Sequence, residues 1–146
     1  MSTIKEIQAY LSKYHIKPSM QRIAIMDYML SHRIHPCIEE IYDALSPEYP
    51  TLSKTTVYNT LKLFVEQKAV TPIVIDEKNI RFDIHTMPHA HFMCMGCGKV
   101  YDLSAEEMQK LSFKGEEEYV VTEIHLYYKG FCKNCIERKI SSNLLK

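Results

Sequence analysis

Two kinds of metal-binding side chain lie close together in this sequence. The nine residues from His89 to Cys97 contain two histidines and two cysteines. Cysteine thiolates spaced C-x-x-C favour a closed tetrahedral zinc site, whereas histidines combined with carboxylates favour a harder ion that exchanges more readily. The donor chemistry therefore predicts two metal sites rather than one, and other parts of the chain must complete both.

The thiol donors occur as two C-x-x-C turns. Cys94 and Cys97 lie in C-M-G-C-G, and Cys132 and Cys135 lie in G-F-C-K-N-C. Glycines in the first turn allow positive φ angles, so that backbone N–H groups can point at the sulfurs. The four cysteines predict a structural zinc site with four thiolate ligands. A redox pair and plain buried cysteines are the alternatives, but two matched turns argue against both. A base deaminase would need H-x-E with P-C-x-x-C, which the sequence lacks.

The nitrogen and oxygen donors are more scattered. His89 and His91 are one residue apart, so on an extended segment their side chains project to the same side. Candidate partners are Asp83 in R-F-D-I, Asp102 in K-V-Y-D-L and His35 in I-H-P-C. Any one histidine or aspartate is more often a solvated surface group. Spacing alone does not select His35.

The composition limits the class of protein. The chain has 146 residues, a formal net charge of zero and five cysteines, four of them in the two C-x-x-C turns. This length suits one domain or two small ones, and a metal staple helps a small domain to fold.

No apolar run approaches the roughly 20 residues that span a bilayer, the N-terminus is not signal-like, and the cysteine pattern suits a reducing compartment. We expect a soluble, cytoplasmic protein with no membrane partner. Zero net charge disfavours a strongly basic nucleic-acid binder but permits a locally positive face.

The first half of the chain reads as helices followed by a hairpin. Apolar spacing predicts one helix through Ile4 to Leu11, a second capped by Ser19 and ending near His32, a third over Cys37 to Leu45, and a fourth capped by Ser53 and ending near Gln67. The period then changes to two, which predicts strands at 70–75 and 80–84 joined by the turn D-E-K-N. Helices followed by a hairpin indicate a winged helix-turn-helix, with the helix after Ser53 in the DNA major groove.

The second half predicts a separate small α+β domain. It should contain a strand through Lys99 to Leu103, a short helix from Ser104, a strand around Tyr119 to Tyr128 and a last helix after Cys135. We place the domains at 1–84 and 85–146, with a hinge at about 83–91. The overall class is α+β.

Four motifs together resemble one known family. S-K-T-T-V-Y-N-T-L, R-F-D-I, H-A-H-F-M-C-M-G-C-G-K-V-Y-D-L and G-F-C-K-N-C occur in this order, over nearly the whole chain, as in the ferric uptake regulator family. The best match is to its peroxide-sensing members. The resemblance implies a second, regulatory site that holds Fe(II) or Mn(II) through three histidines and two aspartates: His35, Asp83, His89, His91 and Asp102. Iron-sensing members commonly have Glu where Asp102 stands.

Three further donors stay outside the predicted sites. His125 lies one residue out of register with the histidine of iron-sensing relatives, where this chain has Ile124. Cys37 on an amphipathic helix is read as a small buried hydrophobe, and His85 as a surface group.

The resemblance also implies a homodimeric repressor of transcription rather than an enzyme. Its second domain would form the dimer, and its DNA site would be a near-palindromic double-stranded operator. Tyr58 and Asn59 would reach bases, while Arg22, Lys54 and Lys62 would meet phosphates. The plainer alternative is that these side chains only solvate a helix face. Two other functions stay open: an iron- or zinc-uptake regulator of the same fold, and a zinc-stabilised thiol redox enzyme.

Overall fold

The computed structural model describes residues 2–76 and 78–138. The chain divides into two compact units, Met1–Thr86 and Met87–Lys146. Each unit has its own small sheet, as the strand pairing shows. Within the described ranges, no helix combines the length and the apolar character needed to cross a bilayer.

Four helices build most of the first unit, and all four were predicted. They are α1 (Ile4–Lys13), α2 (Met20–Ser31), α3 (Ile38–Leu45) and α4 (Lys54–Glu66). Side-chain oxygens cap three of them, because Thr3, Ser19 and Ser53 each accept a hydrogen bond from a backbone N–H of the first turn. These caps explain why the predicted starts of α2 and α4 agree with the structure.

The core of the first unit lies between these helices. Leu11 of α1, Ile25 of α2 and Ile41 of α3 are fully buried with Leu61 and Phe64 of α4. The inner face of α4 is formed by Val57, Leu61 and Phe64, which are fully buried. The opposite face of α4 is thereby free to carry polar side chains.

A short hairpin follows α4. Strand β1 (Thr71–Ile73) pairs antiparallel with β2 (Arg81–Asp83), with Thr71 opposite Asp83. Both strands are shorter than predicted, and residue 77 of the predicted turn lies outside the described residues. Strand β2 also pairs with the segment before α3, since the Phe82 N–H donates to the Pro36 carbonyl at 3.0 Å. The hairpin is therefore tied to the loop that carries His35.

The second unit holds a three-stranded sheet with the order β4-β3-β5. Strand β3 (His91–Cys94) lies in the centre, antiparallel to β4 (Val100–Asp102) and parallel to β5 (Tyr127–Gly130). Two short helices, α5 (Glu106–Gln109) and α6 (Lys133–Glu137), complete the described part. The strand β4 and the helix α5 were predicted, whereas β3 was foreseen only as an extended segment.

The predicted strand around Tyr119 to Tyr128 is wrong over most of its length. It begins only at Tyr127, and residues 120–126 adopt no regular structure. Their alternating apolar side chains suggested a strand, but Val120 is 91% exposed and Ile124 is 51% exposed. A strand needs a partner to satisfy its backbone, and the strand pairings of the described residues include none for this segment. The last helix begins at Lys133, before Cys135, and residues 139–146 lie outside the described part.

Candidate metal centres and nucleic-acid face

The four predicted zinc ligands come together in the second unit. The Sγ atoms of Cys94 and Cys135 are 3.6 Å apart, and those of Cys97 and Cys132 are 3.9 Å apart. All four sulfurs lie within 4.8 Å of one another. Four sulfurs at about 2.3 Å from a tetrahedral zinc would be about 3.8 Å apart. The cluster is therefore compatible with a structural zinc ion, and its two turns come from the end of β3 and the start of α6.

The first turn is shaped by two glycines that act differently. Gly98 has φ of +76°, the left-handed conformation that glycine adopts without strain. Gly96, which could also adopt a positive φ, does not have one. Instead, a Cβ atom on Gly96 would lie 2.9 Å from the Cys135 sulfur. Gly96 is thus needed so that the second turn can approach.

Backbone N–H groups point at the sulfurs. The N–H groups of Cys97 and Cys132 both donate to the Cys94 sulfur, at 3.4 and 3.3 Å. Burial would raise the pKa of the Cys94 thiol, but these N–H groups and that of Gly96 outweigh it and lower the pKa to about 6. Burial and the neighbouring sulfurs raise the pKa of Cys135 to about 12. A divalent cation at the centre would favour the thiolate form of both.

Three of the predicted nitrogen and oxygen donors meet on the sheet of the second unit. His91 on β3 lies opposite Asp102 on β4 in the strand register, so both side chains leave the same face. The Asp102 Oδ1 atom is 2.9 Å from Nε2 of His89 and 3.3 Å from Nε2 of His91. Two donors at about 2.1 Å from an ion, separated by a right angle, lie about 3 Å apart. The spacing therefore suits neighbouring ligands of one ion.

The tautomer of His89 also indicates that a cation could bind beside Asp102. Its Nδ1 atom is 2.7 Å from the Met87 carbonyl oxygen, which can only accept, so Nδ1 carries the proton. In the neutral ring Nε2 then presents a lone pair to the Asp102 carboxylate. Two electron-pair donors face each other at this position, and either a proton or a metal cation between them relieves the repulsion. The residues therefore fit a cation.

The other two predicted donors meet in the first unit. The His35 Nε2 and Asp83 Oδ2 atoms are 3.5 Å apart, and their side chains are only 5% and 3% exposed. The second oxygen of Asp83 accepts a hydrogen bond from the His85 N–H at 2.8 Å. Asp83 is thus oriented by the backbone, with one oxygen directed at the imidazole. A buried carboxylate beside an imidazole also suits a shared cation.

The donors left outside the predicted sites have other surroundings. His125 is exposed and pairs with Glu123 at 3.1 Å. His85 is exposed and its Nε2 is 3.3 Å from an Arg33 guanidinium nitrogen. Cys37 is buried at the N-terminus of α3, as expected for a small hydrophobe.

The predicted DNA-contacting residues lie on helices α2 and α4 of the first unit. Lys54, Tyr58, Asn59 and Lys62 are all exposed on α4. Arg22 on α2 is half-buried, and its guanidinium donates to the Lys17 carbonyl at 2.8 Å. A groove of about 530 Å³ runs between the two helices; Arg22 and Asn59 contribute to its lining. Lys54 is paired with Glu39 at 3.0 Å, so its charge is partly neutralised in this structure.

One residue of the first unit was missed by the sequence analysis. Arg81, on the same strand as Asp83, contacts the loop that carries His35. The only signal in the sequence is its position two residues before Asp83 in R-F-D. No spacing rule distinguishes such an arginine from a surface charge.

Comparison with known proteins identifies the family. A model of the ferric uptake regulator family matches residues 13–129, so the chain belongs to that family. Within it, the chain is similar to peroxide-responsive repressors. PerR of Staphylococcus epidermidis is 34% identical over 136 residues, 92% of this chain and 91% of that protein. PerR of Staphylococcus aureus strain Mu50 is 32% identical over 137 residues, 92% of this chain and 93% of that protein.

Solved structures agree with the fold. The Campylobacter jejuni peroxide stress regulator has a TM-score of 0.61 at 26% identity, over 92% of this chain and 100% of that chain. The Helicobacter pylori ferric uptake regulator has a TM-score of 0.68 at 19% identity, over 92% of this chain and 95% of that chain, which supports the fold alone. The predicted α+β class and the resemblance to the family are both confirmed.

Proposed function

We propose that this protein is a metal-dependent, homodimeric DNA-binding repressor that senses peroxide in the cytoplasm. One observation carries the proposal: the sulfur donors lie together, apart from the nitrogen and oxygen donors. Four sulfurs form a closed cluster, while histidine and aspartate side chains lie in pairs at ligand distances elsewhere. Soft thiolates suit zinc, and imidazoles with carboxylates suit Fe(II) or Mn(II). The peroxide-responsive relatives support the sensed signal.

In this proposal the four-cysteine cluster holds zinc and stabilises the second unit. Cys94, Cys97, Cys132 and Cys135 supply four thiolates, so that no position is open to substrate. The backbone N–H groups directed at Cys94 help to keep it deprotonated. A thiol enzyme would instead need an open position or a free thiolate; closing all four sulfurs on one ion removes both from the cluster, and Cys37, outside it, is buried.

The regulatory ion would bind His35 and Asp83 from the first unit together with His89, His91 and Asp102 from the second. Each set is held by its own unit, at the distances given above. An ion that needs both sets binds most tightly when the units adopt one relative arrangement. The metal therefore shifts the population toward that arrangement, which in this proposal is the one that fits DNA.

The exposed face of α4 would read DNA. Tyr58 and Asn59 would meet base edges, and Lys54, Lys62 and Arg22 would meet phosphates. Binding DNA would compete with Glu39 for the Lys54 ammonium group. These contacts are modest in number, which suits a protein of zero net charge that relies on two copies for affinity.

The second unit would form the dimer. Its segment before β5 exposes Tyr119, Val120, Val121 and Ile124, which are 62%, 91%, 47% and 51% exposed. Neighbouring apolar side chains on a segment without a strand partner in the described part of the chain favour burial against a second copy. A symmetric dimer would place two α4 helices on a near-palindromic operator.

Peroxide sensing would act on the histidine ligands. Bound Fe(II) would supply one electron to split the O–O bond of hydrogen peroxide and would regain it from the oxidised ring, which Mn(II) does poorly. As the family resemblance implies, a ring C–H bond of His35 or His89 would become C–OH and the second peroxide oxygen would leave as water, with no net change in the oxidation state of the metal. Oxidation of either ring weakens its electron-pair donation, so the two donor sets no longer favour the DNA-bound arrangement.

Selection of DNA from a random pool tests the proposal. The anaerobic, zinc-retaining protein loaded with Mn(II) should enrich a near-palindromic sequence and bind it far more weakly after mild chelation that leaves zinc in place. Equal affinity with and without Mn(II) would show that the nitrogen and oxygen donors do not regulate binding. Failure to enrich any sequence would contradict the assignment of a specific repressor.

A further inference from the structure

We propose that Arg81 is a positioning residue for the metal ligand His35. Its guanidinium group holds the loop in which His35 lies and joins that loop to the hairpin strand that carries Asp83. This inference rests on the proposed function, because it takes His35 and Asp83 as ligands of the regulatory ion.

The Arg81 side chain contacts the His35 loop and the two elements beside it, the hairpin turn and α3. One terminal nitrogen donates to the His35 carbonyl oxygen at 3.2 Å. The other lies 3.5 Å from the Asp76 carboxylate in the turn of the hairpin. The carboxylate of Glu40, in the first turn of α3, lies 3.9 Å from the first nitrogen. The Arg81 side chain is only 15% exposed, so its charge is held between these groups rather than solvated.

The backbone conformation at His35 requires stabilising contacts of this kind. His35 has φ of +56°, a left-handed conformation that side chains other than glycine adopt with some strain. Strained backbone persists where surrounding contacts determine it, and such positions are common at functional sites. The Arg81 guanidinium donates its hydrogen bond to the carbonyl of this same residue. It therefore favours the backbone conformation that directs the imidazole toward Asp83.

The neighbouring backbone strengthens the connection. The Phe82 N–H donates to the Pro36 carbonyl at 3.0 Å, and Cys37 and Arg81 form an isolated antiparallel bridge. Asp83 follows on the same strand, one residue after Phe82. Of these three consecutive residues, Arg81 contacts the loop through its side chain and Phe82 through its backbone, while Asp83 supplies the second ligand.

The guanidinium group suits this place better than an ammonium group. Arginine presents several N–H donors in a rigid plane, so it can serve a carbonyl and a carboxylate together. Lysine would keep the charge and most of the aliphatic stem, but it concentrates its donors at one atom. Arg81→Lys is therefore a mild variant that removes the planar set of N–H donors and retains the charge.

Manganese affinity tests the inference. In the full-length, zinc-loaded protein, titration with Mn(II) followed by electron paramagnetic resonance of the free ion gives the affinity. Arg81→Ala should lower it by about tenfold, the usual effect of losing a group that orients a ligand. Arg81→Lys should lower it by several-fold. If Arg81→Ala fails to fold, Arg81→Lys decides the question.

Two controls separate positioning from general stability. Asp76→Asn removes the ion pair with Arg81 but keeps the donation to the His35 carbonyl. It should lower the unfolding midpoint of the first unit and leave Mn(II) affinity within about twofold of wild type. Lys78→Ala, in the same turn, should change neither. If Arg81 only stabilised the fold, the Asp76 and Arg81 variants would both have a lower unfolding midpoint and unchanged Mn(II) affinity.

His35→Ala and Asp83→Ala separate the role of Arg81 from the existence of the regulatory metal site. If they lose Mn(II) binding while both Arg81 variants bind normally, the role of Arg81 is overturned and the proposed function stands. If they bind Mn(II) like the wild type, the regulatory site itself is wrong and the role of Arg81 falls with it.

Discussion

The sulfur donors and the histidine and aspartate donors of this protein differ in where they lie along the chain. All four sulfurs belong to the second unit and converge within 4.8 Å. The histidine and aspartate donors are divided, with His35 and Asp83 in the first unit and His89, His91 and Asp102 in the second. A site inside one folding unit contributes to the stability of that unit. A site whose ligands are shared between units can instead change the equilibrium between their arrangements.

The surroundings of the two sets of donors agree with this difference. N–H groups from both C-x-x-C turns donate to Cys94, so the sulfur cluster is oriented by its own backbone. Asp102 is 39% exposed, so the carboxylate beside His89 and His91 stays accessible to solvent and to an incoming ion. Removal of a ligand should therefore have different effects in the two places.

The largest effect should follow the loss of a thiolate. Cys94→Ser or Cys132→Ser should lose zinc entirely, unfold the second unit and abolish dimers, because folding of a small metal-stapled domain is coupled to its ion. Metal analysis, circular dichroism and light scattering would measure this. Cys37→Ser is the matched control and should keep zinc and dimers. Dimers that persist in zinc-free Cys94→Ser protein would refute the role of zinc as a staple.

A smaller effect on the same cluster should follow from crowding it. Gly96→Ala places a Cβ atom 2.9 Å from the Cys135 sulfur, so it should speed the release of zinc to a chelator. Gly98→Asn is the control, since asparagine tolerates the left-handed backbone at this position and a Cβ there meets no atom of the described residues within 4 Å. Equal zinc release from both variants would show that the close approach at Gly96 does not matter.

Loss of a nitrogen or oxygen ligand should spare the fold. His89→Ala or Asp102→Ala should retain zinc and dimers but lose the metal dependence of DNA binding, worth about 1–3 kcal/mol for a typical coupling between sites. DNA-binding isotherms with and without Mn(II) measure the coupling. His125→Ala, which removes an exposed histidine of the same unit, should behave as wild type. Wild-type metal dependence in Asp102→Ala would remove these donors from regulation.

A more local effect, confined to DNA binding, should come from a residue that touches neither set of donors. Tyr58→Ala should weaken operator binding by about 1–3 kcal/mol through the loss of a base contact, while Mn(II) affinity without DNA stays unchanged. Glu66→Ala, near the other end of α4, is the control. If Tyr58→Ala discriminated operator from random DNA as well as the wild type does, another element would have to read the bases.

Local patterns predicted the helices and the sulfur cluster well. Ser19 and Ser53 cap helices because their hydroxyls accept N–H groups within the same turn, and this is visible in a short window of sequence. The two C-x-x-C turns are equally local signals. The strand at Tyr119 was wrong because alternation shows which side chains could pack but not whether a partner strand is available.

Long-range placement could not be predicted from spacing. His35 lies 48 positions before Asp83 in the sequence, yet their side chains are 3.5 Å apart. Only the family resemblance singled out His35. Arg81 was missed for the same reason, since its contact with the His35 carbonyl depends on how strand β2 packs against a distant loop.

Mass spectrometry after a peroxide pulse decides whether the histidine donors, rather than the cysteines, respond to peroxide. Protein loaded anaerobically with Fe(II), exposed briefly to peroxide at roughly micromolar concentration and then digested, should gain one oxygen on the peptide carrying His35 or His89. DNA binding should fall in parallel, zinc should be retained, and the Mn(II) protein should remain unmodified. The contrary result is zinc loss with oxidised cysteines and intact histidines. It would mean that the sulfur cluster, rather than the divided histidine and aspartate donors, responds to peroxide.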